Sequence, residues 1–249
     1  MDAAPPTRPR WLALPYAVWT GVLFMVLALT ALLLILPLPW LSARRSVVRC
    51  AARLFLILVG MRLAVHNADR LGEQACVVVA NHSSYLDGIV LYAALPPRFG
   101  FVIKREMSRV PLANLLLRRI GAHYVDRGQG QKGARDTRKL LKRAGKGRSL
   151  AFFPEGTFQP QPGLMRFRSG AFLVAARAHF PVLPVVIRGT REALPPGTML
   201  PWPGRISVTL LDPVPAPAST EHDAVNATLQ CARQAILAQL GEPDLASGG

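Results

Sequence analysis

From Leu12 to Pro39 the chain carries no charged residue, and this run constrains the fold more than any other feature. It exceeds the roughly 20 apolar residues that cross a bilayer. Trp11 and Trp40 bracket it, with Tyr16 and Trp19 near its start, where aromatic anchors sit at a membrane interface. Pro37 and Pro39 end the helix, and Pro15 starts or kinks it. The run is too long for the apolar region of a cleaved leader, and Pro37, Pro39 and Trp40 make a poor cleavage site. Ser46 to Leu63 forms a second helix in which Arg49, Arg53 and Arg62 interrupt Val47, Val48, Leu54, Phe55, Ile57, Leu58 and Met61. It lies at the interface with its basic face on lipid headgroups, or it returns from a hairpin whose turn is Leu36 to Trp40. Residues 1–62 are thus expected to form a membrane anchor. Arg44, Arg45, Arg49 and Arg53 outnumber Arg8 and Arg10, which places the remainder of the chain on the cytoplasmic side of the inner membrane.

The anchor explains why half of a 249-residue chain is apolar. Thirty basic residues against 14 acidic give a formal net charge of +16. Such an excess suits an anionic membrane surface, a phosphate-bearing substrate or an acidic carrier protein. Nucleic acid is excluded as a partner: there is no zinc-finger spacing, RNP-like segment or aromatic-basic interleaving. Cys50, Cys76 and Cys231 are far apart and odd in number, so no disulfide framework or metal site is expected. They read as buried small hydrophobes in a reducing compartment.

From about residue 63 short apolar runs alternate with helical patterns. Strands are expected at Met61 to His66, Ala75 to Ala80, Gly100 to Ile103, Ala122 to Val125, Ser149 to Phe153, Val182 to Arg188 and Arg205 to Leu211. Helices are expected at Ile89 to Leu95, Pro111 to Ile120, Lys132 to Gly145, Ser169 to Ala178 and Glu221 to Leu240. Pro184 points to a bulge or an edge position for its strand. Residues 63–240 therefore make one α/β domain, a mixed sheet flanked by helices, with ligands bound in the loops after the strands. Glu192 to Arg205, rich in Pro and Gly, reads as a lid or groove border. Residues 241–249 read as a flexible tail.

Four of these loops carry polar groups. His82 and Asp87, with four residues between them, can place a carboxylate on one ring nitrogen of a base, although a loop histidine with a capping aspartate has the same spacing. Arg127 closes Gly121-Ala122-His123-Tyr124-Val125-Asp126-Arg127 and can offer a forked donor to phosphate or pair with Asp126 or Glu155. Phe153-Pro154-Glu155-Gly156-Thr157 ends a strand with an acid, a glycine that admits a ligand close to the backbone, and a hydroxyl. The run Val182 to Thr190 is mostly core. Ser83 and Ser84 lack the elbow of a serine hydrolase. Lys132, Arg135, Arg138, Lys139, Lys142, Arg143, Lys146 and Arg148 form a basic set, either a solvated helix face or a surface for an acidic carrier, donor phosphates or anionic lipid.

Together the four segments, in this order, resemble the motifs of the 1-acylglycerol-3-phosphate acyltransferase-like (glycerolipid acyltransferase) family. The resemblance covers roughly residues 63–215. It implies an O-acyltransferase that moves a fatty acyl group from acyl-CoA or acyl-ACP to the free hydroxyl of 1-acylglycerol-3-phosphate. His82 would be the base, assisted by Asp87. Lys104, Arg127, Glu155, Gly156 and Thr157 would surround the acceptor and its phosphate. No cofactor or metal is bound in such a scheme; the thioester is a co-substrate, with acyl carrier protein a partner where it supplies the donor. One departure matters. Many members have arginine after the threonine of the third motif, and this chain has Phe158. Arg166 and Arg168 are near enough in sequence to compensate. The alternative is another acceptor, such as lyso-ornithine lipid or another lysolipid. A non-catalytic membrane lipid-binding protein is the reading from a different class.

Overall fold

A computed structural model describes residues 10–125 and 148–246. The expected helix Lys132 to Gly145, and with it Asp126, Arg127 and most of the basic set, lies outside the described residues. Arg148 is described and exposed.

Helix α1 (Arg10–Ile35) runs through Pro15, and its apolar segment Ala13–Ile35 is long enough to cross a membrane. The turn after it returns the chain as α2 (Leu41–Leu58), which starts earlier than its sequence pattern suggested. The two helices form a hairpin laid along the domain. Ala13, Tyr16, Thr20, Leu23, Leu27, Ala31 and Ile35, spaced three or four apart, face inward, while Leu14, Val18, Val22, Met25, Leu29 and Leu33 face out. Tyr16 donates its hydroxyl to Val59 O and stacks on Trp202, 6.3 Å between ring centroids.

The arginines of α2 do not form a lipid-facing basic stripe. Arg45 is buried, with Nε donating to Ile120 O at 2.9 Å and Nη1 to Arg98 O at 3.1 Å. Arg53 and Arg49 donate to Ala93 O at 2.9 and 3.3 Å. The Ile120 and Ala93 carbonyls lie at the C-terminal ends of α4 (Pro111–Arg119) and α3 (Asp87–Ala94), where helices present unpaired acceptors and partial negative charge. The arginines therefore dock the hairpin, and a domain boundary at 62/63 cuts through the first strand.

The sheet has seven strands: β1 (Met61–His66), β2 (Val77–Ala80), β3 (Gly100–Lys104), β4 (His123–Val125), β5 (Leu150–Phe152), β6 (Val182–Arg188) and β7 (Gly204–Leu210). Their spatial order is β1-β7-β6-β2-β5-β3-β4, parallel throughout except between β6 and β7. Helices cover both faces, as the alternation implied. Val78, Ala80, Leu183, Val185 and Ile187 pack under α2 and α3. Val77, Val79, Leu150, Phe152, Val182 and Val186 pack against α5 (Gly170–Ala178) and α7 (His222–Leu240). Between these helices lies the single turn α6 (Thr190–Ala193).

Pro184 sits in an inner strand, not at an edge. Its carbonyl accepts Leu211 N at 2.9 Å just past the end of β7. Val182 then exchanges both backbone bonds with Val214. One residue separates Val182 from Pro184 and two separate Leu211 from Val214, so the missing N–H falls at a bulge.

Two further expectations are corrected. Cys76 is buried, and burial pushes its thiol up to about 11, but Cys50 and Cys231 are exposed on the outer faces of α2 and α7. Residues Gly241–Ala246 are not frayed. Leu164 N donates to Pro243 O at 2.9 Å and Leu245 N to Leu164 O at 3.1 Å. Asp244 forms a bidentate pair with the buried Arg233.

Candidate active site

β5, β2 and β6 are parallel neighbours, so the loops after them open at one edge of the sheet. This brings Asn81–Leu86, Phe153–Thr157 and Gly189–Thr190 together. The buried side chain of Asn81 ties two of them: its Nδ2 donates to Ile187 O at 2.9 Å and its Oδ1 accepts Ile187 N at 2.7 Å. Gly189 is required at the third. Its φ is +85°, and a Cβ there would lie 2.0 Å from Arg205 O.

Asp87 is the first residue of α3 and is fully buried. Its Oδ2 accepts Ser83 N at 2.6 Å, Ser84 N at 2.8 Å and His82 Nδ1 at 2.8 Å. Three donors on one oxygen, at a helix N-terminus, suit an anion. With Nδ1 carrying the proton toward Asp87, His82 Nε2 keeps a lone pair for a substrate proton. The side chain of His82 is 17% exposed, enough to be reached while largely enclosed.

Aromatic rings enclose that imidazole. Phe153 stacks on it at 4.4 Å between centroids, and Phe158 meets it edge-on at 4.6 Å. Exposed Tyr85 packs on Phe158 at 4.8 Å. The residue at the divergent position of the third motif thus touches the base itself.

Glu155 lies against the backbone of the histidine. It is buried, its Oε1 accepts His82 N at 2.6 Å and its Oε2 accepts Met165 N at 2.9 Å. Burial pushes its carboxyl up to about 8, against the two backbone amides. Glu155 therefore fixes the backbone of the histidine.

Gly156 adopts φ +83°, and a Cβ there would lie 2.9 Å from Arg168 Nε. Arg168 N also donates to Pro154 O at 2.9 Å. The third motif thus brings the guanidinium of Arg168 across its glycine. Arg166 and Thr157 are exposed on the same segments. Lys104 stands at the same sheet edge two strands from β2, with Nζ 3.3 Å from Glu106 Oε1. Arg127 lies outside the described residues.

Neither serine is bonded to His82. Ser83 Oγ lies 3.2 Å from Thr190 Oγ1, and Ser84 Oγ donates to Leu194 O at 2.8 Å. Among the described residues no cluster of metal-ligating side chains occurs.

A clamp behind the site has no counterpart in the sequence pattern. Arg191 donates to Gln159 O at 2.9 Å and pairs with Glu242 at 3.3 Å. Glu242 Oε2 accepts Gly163 N at 2.6 Å. Arg233 donates to Met165 O at 3.2 Å. The C-terminal segment thus holds the loop whose Met165 amide reaches Glu155. The partners are remote in sequence, so no local spacing signals them.

A family model described as Acyltransferase matches residues 62–188, from β1 to the end of β6. The chain belongs to the glycerolipid acyltransferase family. The 1-acyl-sn-glycerol-3-phosphate acyltransferase of Saccharomyces cerevisiae is 27% identical over 74% of this chain and 58% of its own length. The 1-acyl-sn-glycerol-3-phosphate acyltransferase beta of Homo sapiens is 28% identical over 72% of this chain and 65% of its own. The chain thus spans less than two thirds of these curated relatives. The crystal structure of the 1-acyl-sn-glycerophosphate acyltransferase PlsC from Thermotoga maritima superposes with a TM-score of 0.76 at 18% identity, covering 91% of this chain and 95% of that one. That likeness extends the shared fold beyond residues 62–188.

Proposed function

We propose that the protein transfers an acyl group from a thioester to the free hydroxyl of 1-acylglycerol-3-phosphate at a membrane surface. The observation that carries this is the His82–Asp87 pair, oriented at 2.8 Å inside an aromatic enclosure beside Arg168. His82 Nε2 takes the hydroxyl proton as the oxygen bonds to the thioester carbonyl carbon. Asp87 holds the tautomer and stabilises the imidazolium. Collapse of the tetrahedral intermediate breaks the carbon–sulfur bond, and the imidazolium returns the proton to the thiolate. No acyl-enzyme forms. Arg168, and the exposed Arg166, receive the acceptor phosphate. The family motifs and the acceptor named for the yeast and human relatives support this choice of acceptor. The donor is acyl-CoA or acyl-ACP, delivered from the cytoplasmic side of the inner membrane. The outward apolar stripe of α1 rests in the bilayer interface as one arm of the hairpin, because its opposite stripe is taken up by the domain along its length.

Phe158 against the base supports a second acceptor class. An apolar ring stands where many relatives carry a cation, which suits lyso-ornithine lipid or another lysolipid without a terminal phosphate. Mass spectrometry of products from an acceptor-by-donor matrix separates the two. The His82→Ala variant should fold, bind membranes and transfer nothing; normal transfer by that folded variant refutes the mechanism. Arg168→Ala should impair phosphate-bearing acceptors more than uncharged ones, and equal loss removes its assigned role.

A further inference from the structure

A second cluster of cations lies at the same edge of the sheet, away from His82. β1 and β7 begin where β6 ends, since both run antiparallel to it. Arg62 and Arg205 face each other in register at those starts, and Arg188 closes β6 opposite Ser207. All three arginines are exposed, and with His66 and Ser207 they line a groove of about 340 Å³. That volume is at the lower end of small-molecule sites. No carboxylate lines the groove, and among the described residues none of the three arginines has an ion-pair partner. Guanidinium groups gathered without a counter-charge repel one another, and an anion removes that cost. Their planar donors suit phosphate oxygens in particular.

Position selects which phosphate. Arg205 and Arg62 lie two and three strands from β2, roughly 10–14 Å across the sheet, with Arg188 on the strand between. The acceptor's phosphate sits on the carbon next to the reacting hydroxyl, so it stays beside His82 and cannot reach so far. A thioester donor differs, because a long flexible pantetheine arm separates its reacting carbonyl from its phosphate. Gly189 and Thr190 connect the two places directly: Arg188 precedes them, and Thr190 Oγ1 meets Ser83 Oγ next to the base. We propose that Arg62, Arg188 and Arg205 form a phosphate-binding groove for the phosphorylated end of the thioester donor. This rests on the acyl-transfer reading above.

The test compares two donors with the same acyl thioester, one with phosphates (acyl-CoA) and one without (acyl-pantetheine). In the full-length Arg62→Ala/Arg205→Ala variant, KM for acyl-CoA should rise at least tenfold. Its kcat, its KM for the acceptor and its KM for acyl-pantetheine should stay within twofold of the parent. Arg205→Lys should restore part of the loss if the fold is intact. Direct titration with adenosine 3′,5′-bisphosphate should show weaker binding to the double variant by a similar factor. An unchanged KM for acyl-CoA overturns the proposal, as does an equal rise for both donors. Loss of binding to anionic vesicles with donor KM unchanged would assign the groove to a lipid headgroup instead, and also overturns it. If the parent transfers acyl groups from no thioester, the acyl-transfer reading fails, and bisphosphate titration still reports on the groove separately.

Discussion

Replacing Asp87 by Asn keeps the shape of the pair at the base and removes its charge. In the parent, Oδ2 holds the imidazole through Nδ1 at 2.8 Å, which puts the two charge centres about 4 Å apart once His82 is protonated. At an effective dielectric of about 20, that attraction is about 4 kcal/mol. Since about 1.4 kcal/mol is a decade in rate, kcat should fall by about 10³. The amide has a further difficulty. Oδ2 accepts three donors, and Oδ1 is buried with no hydrogen-bond partner among the described residues. The Asn oxygen must take the first place, which leaves its NH2 buried and unsatisfied at a cost of about 1–3 kcal/mol. The assay is thiol release from the acyl thioester at saturating acceptor, beside an unfolding curve for each protein. A folded variant whose kcat stays within tenfold of the parent would refute both the pairing of charge on His82 and its role as base.

Glu155→Gln tests the support beneath the histidine. The folded carboxyl titrates near 8 against an ordinary value of 4.5, so between these values the native state holds a proton that the unfolded chain has lost. Stability from this group is therefore greatest at acid pH and declines as pH rises toward 8. Gln cannot ionise, so the parent's melting temperature relative to the variant should drop steadily from pH 5 to pH 8; a constant difference sinks the assignment. Gly189→Ala places a methyl 2.0 Å from Arg205 O, at φ +85°, where only movement of β7 relieves it. At least about 3 kcal/mol should be lost, read as a melting temperature lower by about 6–12 °C; a neutral result would refute the close approach. Asp244→Asn leaves Arg233 poorly paired and should cost about 1–3 kcal/mol in chemical denaturation, since the aspartate is partly exposed. Unchanged stability would show that the C-terminal segment does not hold the loop.

The candidate site was legible in proportion to how local it is. His82 and Asp87 are separated by one turn of chain, and their pairing could be read from that spacing. The strands were legible because β2, β5 and β6 are buried on both faces and so read as continuous apolar runs. The bonds of Glu155 to two backbone amides were not legible, because a carboxylate in a motif looks the same whether it faces a ligand or a backbone amide. The enclosure of His82 by Phe158 was not legible either. Phe158 was visible as a departure from the family pattern, but its ring contact joins loops of two different strands.

By itself the sequence determined which segments are apolar, where the strands run, and which base has an acid within local reach. Those properties depend on neighbours along the chain, where covalent geometry limits the choices. The tertiary structure decided which polar groups serve the chemistry and which serve the scaffold. Arg49 and Arg53 fitted a headgroup-facing side or a hairpin's return arm equally well, and folding sets them on a helix-end carbonyl within a hairpin. Gly241–Ala246 looked like a tail and instead adds a hydrogen-bonded clamp. In each case the deciding partner is an unpaired backbone group or a buried charge brought close by folding, and burial makes satisfying it worth more than leaving either side in water.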